Sequence, residues 1–293
     1  MMNVPLRITA VAVLAFGILA GSLSDSLDAM SWPSQEAVLV RNFGSNDRGM
    51  PVLGMVFEGK TEVFAAEKGE VIFSRSRSDA ASRLPSPFGA WVAVDHGDGL
   101  ISIYSRLAEA ESVGHTAVEK QQTIASSGVS GWSAREGFYF IVFDRRERRW
   151  VNPAMIITPA RETTRQLQIL SVDLRNAQGQ ETQSRNLSQG RYTVLVNAAG
   201  SSAQGAQQYA PQRIVCSVNG AEVSSINFEA VSARDGVLMV YRNGLVPARQ
   251  IYSAFPAFET AEIFLTRGLV TLEVIVQDIT GNPRSVVNRL TVN

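Results

Sequence analysis

The sequence predicts an all-β protein, and three observations carry that prediction. Apolar runs are short and separated by Gly, Asp, Asn, Ser and Pro from Pro51 onward, the punctuation of strands and turns. Residues alternate apolar and polar in Tyr192-Val194-Val196 and in Leu272-Val274-Val276, the period of a half-buried strand. Between Trp91 and Leu107, two β-branched runs flank the polar turn Asp95-His96-Gly97-Asp98-Gly99. Its glycines permit the positive φ angles that a short hairpin turn needs.

Taken in order, the chain begins with Met-Met-Asn-Val-Pro-Leu-Arg, an apolar run Ile8–Ala20, and small residues as far as Ala29. A positive start, a short apolar core and small residues predict a signal peptide over 1–29. The run falls short of the ~20 residues of a membrane span. The chain is therefore expected to be exported and periplasmic. An uncleaved segment tethering it to the inner membrane is the alternative. No Cys follows the run to carry a lipid anchor, and the single cysteine, Cys216, lies in the apolar run Arg213–Val218. It reads as a small buried strand residue.

Residues 30 to about 50 are polar and lead into the first domain. Strands are then expected at Gly54–Gly59, Thr61–Ala66, Val71–Ser74, the 91–107 hairpin, Ser112–Val118, Thr123–Gly128 and Phe138–Phe143, with Trp150-Val-Asn-Pro153 closing the unit. A polar loop, Arg75–Pro87, carries no apolar periodicity. The polar stretch 158–166 reads as a linker, giving domains at 30–157 and 167–293 that are expected to fold separately. In the second domain, strands are expected at Leu167–Val172, Gly190–Val196, Arg213–Val218, Gly236–Tyr241 and Leu272–Gln277. The turn dipeptides Asn219-Gly220 and Gly281-Asn282 complete the pattern of a β-sandwich.

Charge and histidine content limit the chemistry. Positive and negative side chains balance, 27 against 27, so nothing draws the chain to nucleic acid. Only two histidines, His96 and His115, are present, too few for most metal sites. His96 reads as a turn residue bonded to backbone. The run Asp144-Arg-Arg-Glu-Arg-Arg149 reads as a solvated hairpin loop, with an anion-contacting patch as the functional alternative.

Several ordered pieces carry a resemblance: Ala65-Ala66-Glu67-Lys68-Gly69-Glu70-Val71, Asp95-His96-Gly97-Asp98-Gly99, Gly114 through Ile124, Gly128 with Gly131, and Val151-Asn152-Pro153. Over residues 50–157 the series resembles LytM/lysostaphin-type zinc endopeptidases, which cleave peptidoglycan cross-links. The resemblance implies a LytM-type β-sheet core (the duplicated hybrid motif). The tail with Asp278, Gly281 and Asn282 resembles bacterial immunoglobulin-like modules, implying an immunoglobulin-like sandwich.

Members of the first family hold zinc with two His and one Asp and use two further His in catalysis. Here the corresponding places fall on Val52, Val56, Arg106 and the Phe138–Phe140 strand, where a one-residue uncertainty of register stays open. The resemblance thus implies a degenerate domain with no catalytic residue, no metal ligand and no cofactor. Its vestigial groove is expected to be floored by Phe138 or Phe140, with Arg106 beside it. Arg106 is either a ligand contact for a carboxylate or the partner of a nearby acid. Degenerate domains of this kind bind peptidoglycan or activate cell-wall amidases, so the expected partners are peptidoglycan, an amidase or another envelope protein, and not a cytoplasmic one. An unconventional murein hydrolase and a purely structural or adhesion protein are the alternatives. Oligomeric state is not legible.

Overall fold

The structure is a computed structural model, and it describes residues 29–76, 84–110, 116–157, 166–202 and 205–293. The expected signal peptide, nearly all of the 158–166 linker and His115 lie outside the described residues. Apart from a short turn of 3-10 helix at Pro153–Met155 and an α-turn at Arg249–Tyr252, the regular structure of the described residues is β.

In the first unit the strands are β1 (Val38–Arg41), β2 (Met55–Glu58), β3 (Glu62–Phe64), β4 (Gly69–Arg75), β5 (Ala90–Asp95), β6 (Leu100–Ala110), β7 (Ala117–Val118), β8 (Thr123–Ser127), β9 (Gly137–Asp144) and β10 (Arg149–Val151). They pair antiparallel in the order β1-β2-β9-β6-β5-β4-β7. Strand β8 bridges β3 and the far end of β6. The Asp95–Gly99 turn joins β5 to β6 as its glycines require, with Gly97 and Gly99 at positive φ. On one face, Met55, Phe57, Tyr104, Leu107, Phe138, Phe140 and Val142 enter a single core. The Phe57 and Phe138 rings stack at 4.6 Å.

The second unit contains β11 (Gln166–Asn176), β12 (Gly190–Ser202), β13 (Arg213–Val218), β14 (Ala221–Arg234), β15 (Val237–Arg242), β16 (Phe258–Leu265), β17 (Gly268–Gln277) and β18 (Pro283–Val292). One sheet pairs β11-β12-β16. The other pairs β14-β13-β17-β18. Val194, Val196, Phe258 and Ala261 of the first meet Ile214, Cys216, Leu272 and Val274 of the second in one core, making a two-sheet sandwich. Cys216 is fully buried, and burial pushes its thiol up to about 12.

The two units share more than a connection. Phe43, ahead of the first unit's sheet, is buried in the second unit's core, and Leu53 and Trp150 pack against that core. Strand β10 pairs with β9 on one side and with β14 on the other, Trp150 facing Val231. Three asparagines clip the boundary. The Asn42 side chain donates to Ala210 O at 2.7 Å and accepts from Ala210 N–H at 2.9 Å. Asn46 Nδ2 donates to Tyr252 O and Ala257 O. Asn152 Nδ2 donates to Phe228 O at 3.0 Å. Buried amides of this kind satisfy backbone groups across the seam. Residues 42–53, which overlap the lead-in expected over 30 to about 50, therefore contribute to both units.

Candidate functional site

The site lies on the outer face of β2, β9 and β6. The pairing of Val56 with Tyr139, and of Tyr139 with Ser105, aligns three strands. Cross-strand partners point to the same side, so Val56, Tyr139 and Ser105 share the face opposite the core. This settles the register of β9. Phe138 borders the groove, as expected, whereas Phe140 does not, and the two rings turn inward. They are fully buried on the other face, Phe138 against Phe57 and Phe140 tilted on Tyr104 with centroids 5.2 Å apart. Tyr139 lies on the Val56 face, beneath the Arg106 guanidinium. Val52 is buried in the preceding turn, bonded backbone to backbone with Gly44 and Ser45, and does not line the groove.

Arg106 reaches this face through a β-bulge. Ala90 pairs with Leu107 but Trp91 pairs with Ser105, leaving Arg106 as the extra residue. Tyr104 and Leu107 both enter the core, three positions apart where strict alternation would not allow it. The bulge sets Arg106 at φ 67, a left-handed conformation uncommon outside glycine. Its N–H donates to Phe88 O at 2.7 Å. Ser130 braces the bulge by accepting from Ala90 N–H and donating to Leu107 O. Gly54 permits the close approach of β9 to the start of β2, since a Cβ there would lie 2.1 Å from Phe140 O.

The Arg106 guanidinium carbon sits 5.0 Å from the Tyr139 ring centroid, a cation–π contact. The Tyr139 hydroxyl accepts from Leu53 N–H at 2.8 Å. Burial pushes that phenol up to about 12, more than the Leu53 hydrogen bond and the Arg106 charge pull it down. Arg106 is partly buried, and desolvation lowers its pKa despite the favourable presence of Tyr139. No carboxylate pairs with it among the described residues, and its Nε is buried without a partner. The expected alternative, a salt bridge from Arg106 to a nearby acid, is therefore not what the structure forms.

Around this centre lies a groove of about 880 Å³, bordered by Arg41, Arg48, Val56, Arg106, Trp132 and Arg135 together with Asp47 and Glu58. Arg41 pairs with Asp47 at 2.7 Å and Arg135 with Glu58 at 3.1 Å. Trp132 stands at the rim, 80% exposed. The positions that matter to a zinc peptidase can be tested against this donor set. Zinc takes Cys, His, Asp or Glu. Valine offers no donor, guanidinium has no free lone pair, and Tyr139 is a neutral phenol already engaged by Leu53. Among the described residues no group of three His, Cys, Asp or Glu is placed to hold a metal ion. The residues present do not fit zinc.

His96 lies away from the groove. Its Nδ1 is 2.8 Å from Lys68 O and its Nε2 2.8 Å from Ser102 Oγ, the backbone-bonding turn role expected of it. Three of the four arginines of the 144–149 turn are occupied nearby: Arg145 pairs with Asp95, Arg146 with Asp98 and Arg149 with Asp144. Sequence reasoning missed Tyr139, Arg48 and Trp132. Arg48 and Trp132 stand in turns with no apolar pattern, and only the fold brings them together.

Residues 52–153 match the model of Peptidase family M23. A further family profile, which carries no description, matches residues 166–293. An uncharacterized protein of Treponema pallidum is 27% identical over 149 residues, 46% of this chain and 98% of its own length. Among solved structures, the catalytic domain of the prophage-encoded M23 protein EnpA from Enterococcus faecalis aligns at 19% identity and a TM-score of 0.36. That alignment covers 42% of this chain and 94% of that one. A zinc-containing peptidase from Vibrio cholerae aligns at 19% identity and a TM-score of 0.36, over 43% of this chain and 39% of that one. A chain of the SpoIIQ–SpoIIIAH pore forming complex aligns at 19% identity and a TM-score of 0.36, over 45% of this chain and 92% of that one.

Proposed function

We propose that this is a non-catalytic protein of the bacterial cell envelope, whose M23 domain binds peptidoglycan or regulates a cell-wall hydrolase. The observation that carries the reading is the row Val56–Tyr139–Arg106. On three adjacent strands, Val56, Tyr139 and the bulge residue Arg106 stand at or beside the places where the resemblance implies zinc ligands and a general base, and none of the three can ligate a metal or accept a proton near neutral pH. What remains is a basic groove with an exposed tryptophan at its rim, which is equipment for binding. The short apolar segment Ile8–Ala20 supports export, with residues 1–29 acting as a signal peptide or as a tether. The immunoglobulin-like reading of the second unit is part of the proposal, supported by its two packed sheets.

The test combines metal analysis, murein hydrolysis and binding to purified sacculi. Protein dialysed after exposure to zinc is expected to retain no stoichiometric metal, to leave labelled murein uncut and to sediment with sacculi. One zinc per chain together with hydrolysis would overturn the reading. Failure to sediment, with no effect on a hydrolase, would favour a structural or adhesion role.

A further inference from the structure

We infer that the groove is a receptor for the free α-carboxylate at the end of a peptide, with Arg106 as its anchor. Four arginines border the groove, but two are committed: Arg41 to Asp47 and Arg135 to Glu58. Arg106 and Arg48 have no carboxylate partner among the described residues, and the Arg106 Nε is buried with no acceptor. The guanidinium borders the groove and no carboxylate among the described residues engages it, so its remaining N–H groups can meet an incoming oxygen. Guanidinium presents its donors as a planar fork that matches a carboxylate. The Tyr139 ring beneath it and the bulge behind it hold that fork in place, so little freedom is lost on binding. Asp47 and Glu58 also border the groove, and their charges disfavour a doubly charged phosphate more than a single carboxylate. Val40, Val56 and Trp132 supply apolar wall for a small side chain next to the bound carboxylate. The ligand class that meets all of these conditions is a peptide terminus with one negative charge and a short aliphatic residue.

Two sources offer that chemistry, the D-configured end of a cell-wall stem peptide and the L-configured end of a protein. The inference rests on the non-catalytic reading of the groove, yet the two fail separately. Bound zinc with hydrolysis overturns the first, whereas the comparison below addresses only the second. Binding of acetyl-D-alanyl-D-alanine, acetyl-L-alanyl-L-alanine, their C-terminal amides and inorganic phosphate is measured on the full chain by calorimetry or by NMR titration. At least one acid is expected to bind about tenfold or more tightly than its amide, the loss of a charge-assisted pair, and the preferred hand identifies the source. Equal binding of acid and amide, binding of phosphate alone, or no binding of either acid overturns the inference. In Arg106→Asn the charge is removed while a residue tolerant of left-handed φ is kept. This variant is expected to lose about tenfold in affinity at unchanged melting temperature, and Arg106→Lys, with charge but no fork, to recover only part of it. Should Arg106→Asn misfold, the acid-against-amide comparison on the unaltered protein still decides.

Discussion

Tyr139 serves two neighbours at once: its ring carries the Arg106 guanidinium and its hydroxyl accepts the Leu53 N–H. Substituting Tyr139→Phe separates the two. The ring stays, so peptide binding is expected to persist. The Leu53 N–H loses its acceptor, and a urea melt should show about 1–2 kcal/mol of lost stability. An unchanged melt would mean that Leu53 finds another partner. This residue also shows where sequence reading stopped. Phe138-Tyr-Phe-Ile-Val-Phe143 is apolar on both faces, so its alternation could not say which set faces the core. The structure answers by pairing, with Tyr139 opposite Val56. Arg106 was found because it stands in a recognisable hairpin, but its direction was not legible, since one extra residue in a strand reverses every side-chain face beyond it.

At the scale of elements, the terminal hairpin β17–β18 depends on its turn. The Asp278 carboxylate accepts from the N–H groups of Thr280 and Asn282 and from the Thr280 hydroxyl. Burial alone would raise its pKa, but these donors outweigh burial and hold it below the usual carboxylate value. A group depressed in the folded state contributes stability above its unfolded pKa, ~3.9 for Asp, and that contribution is lost as pH falls through the folded value. Melting temperature measured from pH 7 downward should therefore fall in acid less steeply for Asp278→Asn than for the unaltered protein, with the variant already less stable at pH 7. Parallel curves would remove Asp278 from the acid limb. The Asp278–Asn282 turn was legible because Asp, Gly and Asn each have a local reason to be there. Strand β14, the longest among the described residues, was not. Ala-Glu-Val-Ser-Ser-Ile-Asn-Phe-Glu-Ala-Val-Ser-Ala-Arg mixes polar residues into both faces, because the strand serves three partners along its length, β13, β15 and β10, and its register shifts along the way.

At the scale of the whole molecule, sequence suggests two independent halves, and packing joins them. A polar stretch marks where the chain crosses over, but Phe43 signals nothing in sequence about which core it enters. Its partners Ile226, Phe228 and Tyr252 lie some two hundred residues further on. One heat-capacity peak is expected in scanning calorimetry, and a chain ending at residue 165 should be insoluble or unfolded, having bared Phe43, Leu53 and Trp150. Two resolved peaks, or a well-folded fragment, would show that the shared core is dispensable. The strand Arg149–Val151 has a mechanical consequence as well. It is hydrogen-bonded to β9, which carries Tyr139, and to β14 of the sandwich, so a pull on a ligand seated in the groove does not act on a flexible tether. The load passes sideways through paired backbone from one sheet into the next, and the two halves bear tension as a single bracket.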